Sequence, residues 1–312
     1  MDNKNNIIVH IGLNVNKGFS GRAIQINTII EKLPDFEHKI ISITGNSDNK
    51  SYRLKRIIEC FNILKLLFKN KLNIIYHGWW FGAILIPILS LRHKIIFQST
   101  SKNYDDYSTM KKGIKKIVLF RIDFFIEQSI PSNYNMTLKK LIYLPNICKV
   151  YSKTIKRIKN KCIHSGVISK RKNQIGAMQY FIKNKIEMNL DFYGPKKNNF
   201  DSSLEYIEKF NNLIDRNKNF NYKNEYTHYE IENILDKYTH FCVASFQEGM
   251  SNFYLECLSK GLEPIFIPNA DKRLFESYNY KERDNFEFIF HNYPISMWEK
   301  LLKSNKNLCE EV

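Results

Sequence analysis

The sequence predicts an α/β protein made of two doubly wound domains facing a cleft. Two observations carry this. Short apolar runs of strand length alternate with segments of helical period about five times, a basic aperiodic stretch intervenes, and the alternation resumes about five times. The chain's 312 residues, 43% of them hydrophobic, are enough to fill two cores of ordinary domain size.

The elements follow in order. Ile7–Ile11 is a first buried strand, and Gly12 to Arg22 is a Gly-rich loop before a helix from about Ala23 to Leu33. Gly18 and Gly21 would let a ligand approach the backbone there, although the Gly-x-Gly-x-x-Gly dinucleotide spacing is absent. His38–Thr44 is a strand, Tyr52–Phe68 a helix, and Leu72–Tyr76 a strand ending at His77-Gly78-Trp79-Trp80. His77 at such a strand end is a candidate ligand-facing group; a structural His satisfied within the sheet fits equally well. Trp79–Leu91 is too short to span a membrane and reads as a core helix. Lys94–Ser99 is a strand. Met110–Phe120 is an amphipathic helix with a lysine face, open to either solvent or an anionic membrane surface. Asp123–Ser129 and Leu141–Asn146 complete a first domain, residues 1–148, and 149–161 form the linker.

The second domain, 162–312, opens on the strand Cys162–Ile168. A basic loop with Lys170, Arg171 and Lys172 runs into the helix Ile175–Phe181. Strands at 188–193 and 219–223, helices at 204–214 and 229–235, and a closing helix around Trp298 follow.

Composition narrows the partners. The formal net charge of +17 favours anionic ones, although the lysines are spread along the chain and AT-biased coding produces the same Asn, Lys and Ile excess. No helix-turn-helix, zinc or RNA-binding signature supports nucleic acid as a partner. Six cysteines lack paired spacing, and most sit in apolar runs that read as buried thiols of a reducing compartment. With no leader-like segment or long apolar run, a cytoplasmic location is expected, at most peripheral to the inner face of the plasma membrane.

The chemistry concentrates at Ser245 to Gly261. The apolar run Phe241–Ala244 reads as a strand, Gly249 breaks it, and Ser251 or Asn252 caps a short helix that Gly261 ends. Backbone amides of Met250, Ser251 and Asn252 would sit at the helix N-terminus, where an anion is stabilised. Glu248 precedes the helix and Glu256 lies one turn inside it, on the same face as Asn252. Two surface glutamates on a helix satisfy the same spacing.

Ser245, Glu248, Gly249, Asn252, Glu256, Gly261 and Pro264, in this register, resemble the donor-binding signature of retaining glycosyltransferases of the GT-B fold, the group that includes bacterial envelope-polysaccharide transferases. The resemblance spans most of the chain and is specific between about Ile163 and Ile267. It implies transfer of a sugar from a nucleotide-sugar donor to a glycan or lipid-linked acceptor, with no cofactor and no essential metal. It further implies catalytic roles for Glu248, His77 and Lys172. Donor contacts would come from Glu256, Gly249, Met250, Ser251, Asn252, Lys170, Arg171, Gly18 and Gly21. The family's loop usually reads Gly-Arg and, some four residues on, Lys-Gly or Lys-Asn. Here Lys172-Asn173 matches, but Val167 stands at the Arg position. Asn269-Ala270-Asp271-Lys272 replaces the Gly-rich turn of many relatives. A catalytically degenerate module of the same fold, binding a nucleotide sugar or a partner, is therefore the alternative.

Overall fold

The computed structural model describes residues 7–13, 21–43, 50–78, 84–98, 117–118, 120–128, 141–152, 160–196, 202–246, 248, 250–278 and 286–304. The chain divides into two compact units. Residues 1–147 and 292–312 form the first, and residues 148–291 the second.

The first unit holds a six-stranded sheet in the order β2-β1-β3-β4-β5-β6. Its strands are β1 (Ile7–Leu13), β2 (Glu37–Ile43), β3 (Asn73–His77), β4 (Lys94–Gln98), β5 (Phe124–Glu127) and β6 (Leu141–Tyr143). Every pairing is parallel. A parallel sheet is covered on both faces, so its strands carry apolar runs rather than alternation. All five residues of β3 and of β4 are buried accordingly. Helices α2 (Lys50–Leu64) and α3 (Ile86–Leu89) cover one face, packing Ile63, Ile86 and Leu89 on Val9, Ile74 and Phe97. Helix α1 (Gly21–Lys32) covers the other, packing Ile29 near Ile8, Ile75 and Ile96.

The second unit holds a five-stranded, all-parallel sheet in the order β11-β10-β7-β8-β9. Its strands are β7 (Lys161–Ser165), β8 (Asn189–Tyr193), β9 (Phe220–Tyr222), β10 (His240–Val243) and β11 (Glu263–Phe266). The helices are α4 (Gln174–Lys183), α5 (Leu204–Arg216), α6 (Ile231–Leu235), α7 (Asn252–Ser259) and α8 (Arg273–Ser277). Strand order doubles back at β7 and β10, so the loops after these two strands lie side by side at the carboxyl end of the sheet, where α/β folds collect ligands.

The structure departs from the expected boundaries in two places. The last helix, α9 (Tyr293–Lys303), packs in the first unit rather than closing the second. Its apolar positions Met297, Trp298, Leu301 and Leu302 recur every three or four residues and join Ile8, Leu33 and Phe124 in one core. Lys94, at the start of β4, is buried against its C-terminus. The ammonium donates to the carbonyls of Leu301, Leu302 (3.5 Å) and Ser304 (2.6 Å), which have no partner inside the helix. The expected linker is also partly folded: Cys148 and Tyr151 are core residues of the second unit. The Tyr151 amide donates to Ser259 Oγ (2.7 Å), and that hydroxyl donates to Lys149 O (3.0 Å). Residues 153–159 lie outside the described residues.

Candidate active site

The loop after β7 begins the site. Gly166 has φ +146°, a conformation that suits glycine, and a Cβ there would lie 2.9 Å from Lys172 Cε. The missing side chain is the space the lysine stem occupies. Asn173 takes a left-handed conformation (φ 57°) at the start of α4, and its side-chain Nδ2 donates to Ala244 O at 3.2 Å. The Phe246 amide donates to Arg171 O at 3.0 Å. These two bonds stitch the basic loop to the end of β10.

Glu248 sits where the two loops meet. Lys172 Nζ donates to its Oε1, and Arg171 Nη1 does so at 3.4 Å. Burial works against the charge of this carboxyl. Lys172, Arg171 and the Ser245 hydroxyl outweigh it and hold the group below the usual carboxylate range. The backbone around Glu248 is buckled down as well. Its amide donates to Asp271 Oδ2 (2.9 Å), Arg273 Nη2 donates to its carbonyl, and the Asp271 amide donates to Ser245 O (2.8 Å). Arg273 and Asp271 are themselves paired at 2.9 Å.

Glu256 has a different environment. Ser251 caps α7, its hydroxyl accepting from the Tyr254 amide at 3.4 Å, and Glu256 follows one turn later, buried. Burial pushes its carboxyl up to about 8. His228 Nδ1 stands 3.4 Å from its Oε1. Burial and then the Lys149 charge hold His228 below its ordinary value, so the two partners meet as neutral groups near pH 7 rather than as an ion pair. His228 is presented by a turn whose capping box joins Thr227 and Glu230. The hydroxyl of nearby Tyr226 is held above its ordinary value by burial and then by Glu256, and it bonds Ser165 Oγ at 2.9 Å.

The expected site residues thus divide. Glu248, Lys172 and Arg171 come together. Met250, Ser251 and Asn252 lie at the start of α7, with Glu256 on its next turn. Lys170 is exposed, and its charge acts on Glu205 of α5. Gly21 begins α1; Gly18 and Gly249 fall outside the described residues.

His77 is a correction. It is buried in the first sheet with both ring nitrogens engaged: Nδ1 with Gln98 Oε1 (2.9 Å) and Nε2 with His10 Nδ1 (3.0 Å). His10 Nε2 meets His38 Nδ1 at 3.0 Å, and His38 Nε2 meets Leu33 O at 2.9 Å. A polar row therefore crosses β2, β1, β3 and β4 in sheet order. His77 belongs to this row and offers no ring nitrogen to a sugar.

Sequence reasoning missed Arg273, His228 and Tyr226. No local motif marks them, because the contacts that bring them to the site, Arg273 with Glu248 O, His228 with Glu256 and Tyr226 with Ser165, join residues distant in the chain. Among the described residues no three His, Cys, Asp or Glu side chains are grouped so as to hold a metal ion, and no helix is long and apolar enough to cross a membrane. A cavity of about 540 Å³ lies apart from this site, beside β9, lined by Lys196, Asn211, Asp215 and Tyr222. Lys196 is already committed there, lying 3.8 Å from the centre of the Tyr222 ring.

No family model matches the chain, and no curated protein matches it by sequence. Solved structures do match. HepE of Anabaena, in complex with UDP and glucose, superposes with a TM-score of 0.65 at 9% identity, over 95% of this chain and 99% of that one. Sucrose-phosphate synthase of Thermosynechococcus elongatus gives 0.66 at 10% identity, over 95% and 98%. The chain has the GT-B fold. A point mutant of TarM from S. aureus, in complex with Fondaparinux, alpha-GlcNAc-glycerol and UDP, gives 0.54 at 13% identity over 79% of this chain; the match spans 58% of the TarM chain.

Proposed function

We propose that this GT-B chain is a retaining glycosyltransferase that moves a sugar from a nucleotide-sugar donor to an acceptor hydroxyl of a glycan or a lipid-linked glycan. One observation carries the reading: Glu248 is ionised and clamped by Lys172 and Arg171 between the loops after β7 and β10. Charge develops on the departing diphosphate during such a transfer. Lys172, Arg171 and the amides at the start of α7 are the groups that would stabilise it. Glu248 would exchange part of its lysine bonding for the hydroxyls of the donor sugar, and so orient it. Glu256, with Tyr226 and His228 beside it, would take the ribose hydroxyls. Arg171 serves in place of the arginine that Val167 replaces. Neither glutamate is assigned as a nucleophile, since a double displacement needs two carboxylates flanking the anomeric carbon and Glu256 is buried against His228 instead. UDP is the first nucleotide to test, because HepE, TarM and a pneumococcal O-GlcNAc transferase of similar fold are all recorded with it.

A thermal-denaturation panel of UDP, GDP, ADP and CMP with their sugar conjugates tests the binding step. A nucleotide at about 100 times its dissociation constant adds roughly 2.7 kcal/mol. One nucleotide should shift the transition, and Glu256→Ala should abolish the shift. The chemical step is read as nucleoside diphosphate released with acceptor present. Glu248→Ala and Lys172→Met should each lower kcat by about 10²–10³. Full activity in Glu248→Ala would sink the assignment.

Val167 and the fully engaged His77 favour one second reading, a catalytically silent module that holds a nucleotide sugar. That reading predicts the same shift with no product formed.

A further inference from the structure

Helices that cover a sheet normally turn apolar residues inward and polar ones to water. On one face of the first sheet this holds. Helix α1 exposes Asn27 and Glu31, and α9 exposes Ser296, Lys300 and Lys303. On the opposite face it fails. Helix α2 exposes Ile57, Ile58 and Phe61 at one-turn spacing, and the 3₁₀ turn that continues it (Lys65–Phe68) adds Phe68, 86% exposed. The one acidic residue of α2, Glu59, is half-buried instead.

The neighbouring elements repeat the inversion. Helix α3 buries Ile86 and Leu89 yet exposes Ile88, and Leu91 beyond it is 72% exposed. It is fastened to the 3₁₀ turn by Arg92 Nη1 donating to Leu67 O (3.0 Å) and by His93 meeting Leu66 O (2.9 Å). Ile117 and Phe120 flank the buried Val118 on the same side of the sheet and are exposed as well. Large apolar side chains that face water along several adjoining elements mark a contact surface.

Charge selects the partner. Between residues 50 and 98 the sequence contains a single carboxylate, Glu59. Lys65, Lys69, Lys71 and Arg92 are exposed around the apolar stripe, and Arg121 stands 5.9 Å from the centre of the Phe120 ring. A second copy of the chain would bring two such basic rims together. A bilayer with anionic headgroups satisfies both features: aromatic and aliphatic side chains enter the acyl boundary while lysines remain at headgroup level.

We propose that the outer face of α2, the 3₁₀ turn and α3 is a docking surface for an anionic lipid bilayer. This holds whether or not the chain transfers sugar, and the test uses no enzymatic readout. The full chain is centrifuged with vesicles of phosphatidylcholine containing about 30% phosphatidylglycerol, and with vesicles of phosphatidylcholine alone. Strong binding to the first, weak binding to the second, and release by salt are expected. Phe61→Glu with Phe68→Glu should weaken vesicle binding at least tenfold without moving the thermal transition, since both side chains are in solvent. Lys65→Glu with Lys69→Glu should remove the preference for anionic vesicles. Unchanged binding in Phe61→Glu with Phe68→Glu overturns the proposal. So does a wild-type chain that ignores vesicles but sediments as a dimer dispersed by those substitutions, which would make the face a contact between copies.

Discussion

Glu248 and Glu256 share a functional group and finish with opposite charge states. Two cations outweigh the cost of burying Glu248, whereas Glu256 has neutral His228 and the Tyr226 hydroxyl beside it and keeps its proton near pH 7. The spacing of the two glutamates was legible in the sequence; their protonation was not, because the deciding partners come from other loops. His77 shows the same limit. Its place at a strand end was readable, but the partner that removes it from any ligand site, His10, lies 67 residues away. The row has an acceptor at each end, Gln98 Oε1 and Leu33 O, so it needs four protons on three rings. Turning the Gln98 amide would let three neutral rings satisfy every contact. The state of Glu256 gives a stability test. Its folded value, about 8, lies above that of an unfolded glutamate, near 4.3, so the folded state loses stability as pH rises through that interval. Glu256→Gln removes the loss. Relative to wild type, the variant should gain on the order of 3 kcal/mol between pH 5 and pH 8, measured by urea unfolding at both. His10 and His164, which burial holds below their ordinary values, act on both proteins alike and cancel in the difference. Parallel pH profiles would show Glu256 to be ionised in the fold.

The element that makes the site is the loop from Gly166 to Asn173, and it was only half readable. Its basic character and position after a strand were plain, but three successive cations gave no ranking among Lys170, Arg171 and Lys172. Geometry supplies the ranking. Asn173 is pinned to Ala244 and Arg171 O accepts from Phe246, which leaves the Arg171 and Lys172 side chains toward Glu248 and Lys170 toward α5. Gly166 then has a role that spacing could not reveal, because only the folded loop lays the lysine stem across it. Gly166→Ala should displace Lys172 rather than unfold the unit, since a lysine stem moves more easily than backbone. The positive φ adds a cost of about 1–3 kcal/mol. The expected result is a drop in transfer of about tenfold, smaller than in Lys172→Met, with a small fall in unfolding midpoint. Gly166→Ala made in a Lys172→Met background should cost little further activity, because the lysine it displaces is already gone. Full additivity of the two losses would mean that Gly166 acts through something other than Lys172.

At the scale of the whole molecule, the alternation of strands and helices conveyed two doubly wound units, and local order along the chain conveyed nearly every element. It did not convey that the chain returns. An amphipathic helix shows in sequence that it has an apolar face but not which core will receive it. The apolar face of α9 is filled by Ile8, Leu33 and Phe124, residues from the far end of the chain, and Lys94 holds its C-terminus. The consequence can be measured because all three tryptophans, Trp79, Trp80 and Trp298, belong to the first unit. Trp298 is fully buried, so Trp298→Ala should cost about 3–5 kcal/mol. That cost should fall on the unit reported by the remaining fluorescence of Trp79 and Trp80. Urea unfolding followed by that fluorescence should shift to lower midpoint, while a donor nucleotide bound near Glu248 should still raise the stability of the second unit. A fluorescence transition that stays in place while nucleotide binding is lost would put α9 with the second unit after all.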